Sequence, residues 1–201
     1  FRPDPRGHRV IGILGAGSQV AVEFMALVPD CHGLRSGTRL DGCSKYLVCT
    51  GLLNGQSLTT QPSDRVAATF AVNFSDLARW CDETFRAVEN ARIVVIGSES
   101  GFSGSYDMAY AGAKAALHLY VETKKLQPRQ QLVAIAPGIV ADAGMTTRRT
   151  DTDTLAHRAA AHPKKRFVAS REVASLAAWL LGDDGEYVSG TVVRMNGGER
   201  R

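Results

Sequence analysis

IVVIGSESGFSGSYDMAYAGAKAALHLYV, residues 93–121, writes a strand, a turn and a helix in succession. Ile93, Val94, Val95 and Ile96 form an unbroken apolar run in which β-branched residues dominate, the mark of a strand covered on both faces. Gly97, Gly101 and Gly104 end that run, and an amphipathic segment over residues 107–125 follows as a helix. A buried strand that delivers directly into a helix is the repeating unit of a parallel sheet.

The same unit recurs on either side. Further strands are expected over residues 10–14 (VIGIL), 31–34, 46–49 (YLVC), 132–136 (LVAIA) and 191–195 (TVVRM), and helices over 18–28, 63–89, 152–161 and 171–181. Pro62 followed by Ser63 gives the 63–89 helix a defined start, with Ser63 as its N-cap. The alternation predicts an α/β fold, a doubly wound parallel sheet with helices on both faces, occupying residues 1–201 as a single domain. Two stretches depart from it. Residues 36–45 (SGTRLDGCSK) separate two strands by only ten residues, whereas a parallel crossover takes roughly a dozen or more. Residues 142–165, rich in Thr, Arg, His and Ala, make a connection long enough to read as a substrate lid.

Composition narrows the class. A chain that is 44% hydrophobic and 22% charged is an ordinary globular sequence, and its net charge of +4 is too small an excess to indicate nucleic acid. No run of eighteen apolar residues exists to cross a membrane, and residues 1–9 hold no apolar stretch of the kind a secretory leader needs. Cys31, Cys43, Cys49 and Cys81 form no CxxC pair. They read as free thiols of a cytoplasmic protein and argue against a zinc site.

Several residues are placed where chemistry occurs in such sheets. The first strand runs into Gly15-Ala16-Gly17-Ser18 and then a helix. Glycines there admit a phosphate to the backbone and the helix start supplies free amides, although the same residues also suit a plain tight turn. Arg35 lies 20 residues after Gly15, about where a dinucleotide fold reads its ribose. An acid at that place favours NAD, whereas Arg accommodates a 2′-phosphate; read so, Arg35 selects NADP(H) over NAD(H), and read otherwise it is a solvated loop residue. Tyr110 and Lys114 stand four apart and share a helix face. An ammonium beside a phenol lowers its pKa from about 10, which suits a tyrosine acid. Ser98 follows the strand over 93–96, on the carboxyl edge where open sheets bind ligands.

Taken together these residues resemble the short-chain dehydrogenase/reductase family, most strongly over residues 71–198. The family's Ser, a glycine three residues on, and YxxxK a dozen residues later are matched by Ser98, Gly101 and Tyr110 to Lys114; its helix Asn is matched by Asn73 in AVNFSDL, and its Pro-Gly turn by Pro137-Gly138 in IAPGIV. The resemblance implies a Rossmann-like fold and an NADP(H)-dependent reductase of a ketone or aldehyde, a 3-oxoacyl thioester being one form of that substrate. Tyr110 would protonate the carbonyl oxygen, Lys114 would hold the nicotinamide ribose and depress the Tyr110 pKa, and Ser98 would bond the substrate oxygen. Asn73 would bend its helix and hold a water that relays protons to Lys114. The cofactor would meet Gly15, Gly17, Ser18, Gln19, Val20, Arg35, Cys49, Thr50, Gly51, Tyr110, Lys114, Pro137, Gly138 and Val140. A homodimer or homotetramer, built through the Asn73 and Tyr110 helices and the last strand, is also implied.

The departures from the family are specific. Its TGxxxGxG loop becomes LGAGSQVA, with Gln19 and Ala21 where glycines are usual; its NNAG becomes CTGL over residues 49–52. Asp142 stands where a Thr often meets the pyrophosphate, so Thr146 or Thr147 is expected to take that role. Between the second and fourth family strands roughly 40 residues are lacking, which leaves the adenine side of the pocket open; Asp41 is the candidate there for an adenine-contacting carboxylate. His157 and His162 sit in the lid, with Arg148, Arg149, Lys164, Lys165 and Arg166 making it basic. Two other readings stand beside the reductase. One is a non-catalytic nucleotide-binding or scaffold protein, against which the intact Ser98, Tyr110 and Lys114 speak. The other is an enoyl thioester reductase, whose members space Tyr and Lys more widely.

Overall fold

The computed structural model describes residues 10–39 and 41–199; the segment read for a leader, residues 1–9, lies outside them. Six parallel strands run β1 (Ile11–Leu14), β2 (Cys31–Leu34), β3 (Lys45–Val48), β4 (Arg92–Ile96), β5 (Gln131–Pro137) and β6 (Thr191–Met195). Their order across the sheet is β2-β1-β3-β4-β5-β6. This is the doubly wound arrangement without the strand that would pair outside β2, so the shortening over residues 36–45 removes an edge and leaves the rest of the sheet intact. The chain crosses from β2 to β3 without a helix. Cys43 in that connection is buried, and Thr38 is held by the indole of Trp80, whose Nε1 donates to its carbonyl at 3.0 Å.

Alternation along the strands divides the core between two faces. Leu14, Tyr46, Val48, Ile93 and Val95 face helices α3 (Asp76–Ala87) and α5 (Met108–Thr123), which contribute Leu77, Trp80, Cys81, Phe85, Leu117 and Val121. Ile11, Ile13, Leu47, Val94, Val133 and Ile135 face α1 (Gln19–Leu27) and α8 (Ser170–Leu181). β5, between β4 and β6, is buried at all seven positions, whereas the edge strand β2 keeps its middle residues exposed because nothing pairs beyond it.

The helix expected over 63–89 is broken in a definite way. α2 (Ser63–Phe70) passes into a π-helical turn over Ala71–Ser75 before α3 begins. One extra residue per turn lifts the register at Asn73, a device frequent at functional sites. Residues 139–168 form an excursion closed at its base by a bridge between Val140 and Val168. It carries α6 (Gly144–Thr147) and α7 (Thr152–Ala161), neither with a buried residue. α4 (Ser100–Ser103), a single turn after β4, completes the set. No helix among the described residues is long and apolar enough to cross a membrane.

Candidate active site

The chain reverses direction across the sheet between β1 and β3, which opens a crevice at their carboxyl ends. Gly15 turns there with φ +77°, and a Cβ on it would lie 2.8 Å from the carbonyl carbon of Cys49 and the amide nitrogen of Thr50. Only glycine lets the two loops approach so closely. α1 opens with Gln19 and Val20, whose amides are among those a helix leaves unpaired at its start. Ser18 Oγ accepts from Ala21 N at 3.2 Å, so the serine caps α1. The Val20 side chain is buried, which leaves its backbone alone to face the crevice. Gly17 opens onto free space. Cys49 is held protonated, its thiol pushed up to about 12 by burial, with Ser18 and Lys114 acting the other way.

Across β4 the second half of the site assembles. Ser98 Oγ accepts from Ser100 N at 3.1 Å, which leaves its proton free for another acceptor. Tyr110 and Lys114 project from one face of α5 toward it, with Lys114 Nζ 5.8 Å from the Tyr110 ring centre and donating at 2.8 Å to the Ile96 carbonyl. Lys114 is only 2% exposed. Burial lowers its pKa to about 8, against a smaller opposing pull from Cys49. The expected depression of the Tyr110 pKa is not found. Burial raises it, Asp107 adds to the rise, and the side-chain hydrogen bond with Ser98 offsets part of it. The physical reason is that Lys114 turns its charge to the Ile96 carbonyl, so the phenol loses water and gains no ammonium in return.

Asn73 reaches this centre through the loop after β3. Its Nδ2 donates to the carbonyls of Leu52 at 2.8 Å and Thr69 at 2.9 Å, and its Oδ1 accepts from Leu52 N at 3.3 Å. The side chain thus clasps the loop carrying Cys49, Thr50 and Gly51. Gly51 itself sits against Asn73 Oδ1 and Met145 of α6. Gly138 packs beside Met195 at the end of β6. Asp142 accepts from both the amide and the hydroxyl of Ser170 at 2.8 Å, tying the excursion to the start of α8. Thr146 and Thr147, the residues expected to take the role of the family's Thr, lie on α6. His162 makes its contact with Asn196 O, at 3.1 Å.

Arg35 stands apart, exposed at the end of β2, and Asp41 is likewise exposed. Beside Trp80 opens a cavity of about 400 Å³ lined by Leu14, Ser36, Gly37, Thr50, Val72 and Leu77 together with the charged Asp76, Arg79 and Glu83; neither Arg35 nor Asp41 lines it.

Three contributors escaped the motif reading. Asp107 caps α5 and accepts from Tyr110 N, Gln61 Nε2, Gly55 N and Asn54 N at 2.8–3.1 Å, tying the loop after β3 to the Tyr110 helix. Burial opposes its charge, but these donors outweigh burial and hold the carboxyl below the ordinary range. An Asp three residues before a helical Tyr is visible in the sequence as an N-cap. Glu99 forms a two-pronged pair with Arg194, at 2.8 and 2.6 Å, and so joins the Ser98 turn to β6. His118 lies under that turn at 3% exposure, one further step along the spacing of Tyr110 and Lys114.

Fold and site define an α/β protein with a nucleotide crevice and a Ser-Tyr-Lys centre. Residues 36–199 match the family described as enoyl-(acyl carrier protein) reductase, and the chain belongs to the short-chain dehydrogenase/reductase family. It is 28% identical over 155 residues to the 3-oxoacyl-(acyl-carrier-protein) reductase FabG of Salmonella typhimurium, a match covering 74% of this chain and 63% of that enzyme. The chain thus spans about three fifths of that relative's length. A short-chain dehydrogenase/reductase of the glucose/ribitol dehydrogenase type from Brucella melitensis superposes with a TM-score of 0.83 at 18% identity, covering 94% of this chain and 96% of the other. Actinorhodin polyketide ketoreductase with NADPH gives 0.80 at 15%, covering 94% and 97%.

Proposed function

We propose that the protein is an NADPH-dependent reductase of ketones or aldehydes, 3-oxoacyl thioesters included, with Tyr110 as the proton donor. The observation that carries this reading is the convergence of the Ser98 hydroxyl and the Tyr110 phenol above a Lys114 that burial brings to about pH 8. The four-residue spacing of Tyr110 and Lys114 favours a carbonyl over an enoyl substrate. The names of the relatives, a 3-oxoacyl reductase and a ketoreductase with NADPH, point the same way.

In this reading the crevice at Gly15 and the amides of Gln19 and Val20 hold the pyrophosphate. The cavity beside Trp80 takes the adenosine end, and Arg35 meets the 2′-phosphate. Gly51, Gly138 and Val140 line the nicotinamide end, and Lys114 holds its ribose. The bound cofactor supplies the hydride. Ser98 donates a hydrogen bond to the carbonyl oxygen and sets it beside Tyr110, whose raised pKa keeps the phenol protonated and ready to give its proton to the developing alkoxide. Asn73, clasping Leu52, fixes the loop against which the nicotinamide end lies. The excursion over residues 142–165 is the lid, hinged at the bridge between Val140 and Val168. The protein is read as cytoplasmic and as a homodimer or homotetramer, with Phe70, Leu119 and Trp179 as exposed apolar contacts.

Fluorescence titration with NADPH and NADH, followed by reduction assays on ketones, aldehydes and 3-oxoacyl thioesters, tests this reading. Saturable binding that favours NADPH is expected. Arg35→Ala should weaken NADPH about tenfold, the worth of one exposed charge-assisted contact, and leave NADH unchanged; equal losses would remove Arg35 from 2′-phosphate recognition. A folded protein that binds neither nucleotide would put the non-catalytic scaffold in the reductase's place.

A further inference from the structure

His118 is a buried histidine that the proposed chemistry does not use, and it lies directly beneath Ser98. Its Nε2 accepts from the Ser98 backbone amide at 3.4 Å. The ring occupies space that two glycines vacate: a Cβ on Gly97 would lie 2.6 Å from Nε2, and one on Gly101 would lie 2.6 Å from Cε1. Phe102 stacks on it at 4.6 Å with a 32° tilt. The Arg194 guanidinium sits 4.5 Å from the centre of the Phe102 ring, held there by Glu99. The turn from Gly97 to Phe102 is thus wrapped around one side chain of α5.

That side chain stands four residues after Lys114 and eight after Tyr110, on the same helical face. We propose that His118 is a positioning residue for the reaction, holding the Ser98 turn against α5 so that the serine hydroxyl keeps a set distance from the Tyr110 phenol. The inference rests on the reductase reading above, but its geometry is independent of the cofactor. An Nε2 that accepts must carry its proton on Nδ1, and Nδ1 is buried without a hydrogen-bond partner among the described residues. A leucine would fill the volume and leave no orphan donor, so what the histidine adds is the acceptor under Ser98. Burial and the Lys114 charge keep the ring neutral, lowering its pKa to about 4, with Arg194 adding to the fall and Glu99 opposing it.

Two substitutions separate shape from hydrogen bonding. His118→Phe keeps a flat ring and removes the acceptor, whereas His118→Gln restores an acceptor at similar reach. The Phe variant should lose about tenfold or more in kcat with KM for NADPH unchanged, since a small misplacement of a reacting group costs rate rather than binding. The Gln variant should recover most of that loss; equal kcat in all three proteins overturns the proposal. Nitrogen NMR of the wild-type protein at pH 7 should show the Nδ1–H tautomer, and an Nε2–H tautomer overturns the proposal whatever the activity. If the wild-type protein reduces no carbonyl, the reductase reading fails instead, and hydrogen exchange at the Ser98 amide becomes the deciding measurement. Protection lost in the Phe variant supports the positioning role, and equal protection ends it.

Discussion

At the amino edge of the sheet Arg92, 5% exposed, donates from Nε to Gln131 Oε1 at 2.7 Å and from one terminal nitrogen to the carbonyls of Leu180 and Gly182. Gln131 Nε2 reaches Leu180, Gly185 and Val188 at 2.7–3.1 Å. At the carboxyl edge the buried polar groups are of another kind. Lys114 has one carbonyl, Tyr110 is raised by burial, and His118 Nδ1 has no partner among the described residues. The first network satisfies the end of α8 and the return to β6 with a charge whose donors are spent on acceptors. The second leaves groups desolvated and under-partnered, which is a cost to folding and the condition for chemistry. In the proposed reductase, stability and activity thus fall at opposite ends of the same strands.

The largest way to break this division is at Tyr110. Tyr110→Phe should lower turnover by about 10² to 10⁴, the worth of a positioned acid, while the urea midpoint stays close to that of the wild-type protein. A large loss of stability with it would show that the carboxyl edge also holds the fold. Arg92→Ala probes the other end. It strands Gln131 and two helix-terminal carbonyls, so unfolding free energy should fall by about 3 kcal/mol with kcat per folded molecule unchanged. A fall in kcat at full folding would join the two edges.

Most of this architecture is legible in the sequence because the inner strands β1, β3, β4 and β5 are buried on both faces. Residues 191–195 and 152–161 match β6 and α7 end to end, and the other strand boundaries differ by one residue or none. Apolar periodicity tracks burial in the central strands, whereas β6 and α7 hold no buried residue. Periodicity does not see a π turn: residues 63–89 read as one helix because the insertion at Asn73 changes register by a single residue while the sequence on both sides stays amphipathic. Ser98, Tyr110 and Lys114 are legible because their spacing along strand, turn and helix is itself the geometry. Asp107 is legible as an N-cap, but its bonds to Gln61, Gly55 and Asn54 span 46 to 53 residues; those bonds, and the contacts of Glu99 and His118 across 95 residues or through space vacated by glycines, follow no local pattern. The direction of the Tyr110 shift differs from the one expected for a related reason. Helical spacing places Lys114 on the same face, but the ammonium's orientation is set by the Ile96 carbonyl.

That orientation yields the smallest of the expected effects and the sharpest test of the contrast. Lys114 sits at about 8, below the ordinary lysine value of 10.5. In the proposed reductase the phenol stays protonated well above neutrality, so the basic limb of kcat/KM for reduction should belong to Lys114, falling about tenfold per pH unit beyond pH 8 as the ammonium is lost. The stability linked to the same group runs the opposite way. Between about 8 and 10.5 the unfolded chain holds a proton on this lysine that the folded chain has given up, and folding is favoured as pH rises through that window. Lys114→Met should therefore abolish the Lys114 contribution to both trends, measured as kcat/KM and as urea unfolding at pH 7.5 and pH 9.5. The Arg92 network contributes nothing to either, because a guanidinium stays charged across the whole range. An unchanged basic limb in the Lys114→Met variant would assign the limb to Tyr110 and return the phenol to the depressed pKa that its spacing from Lys114 first implied.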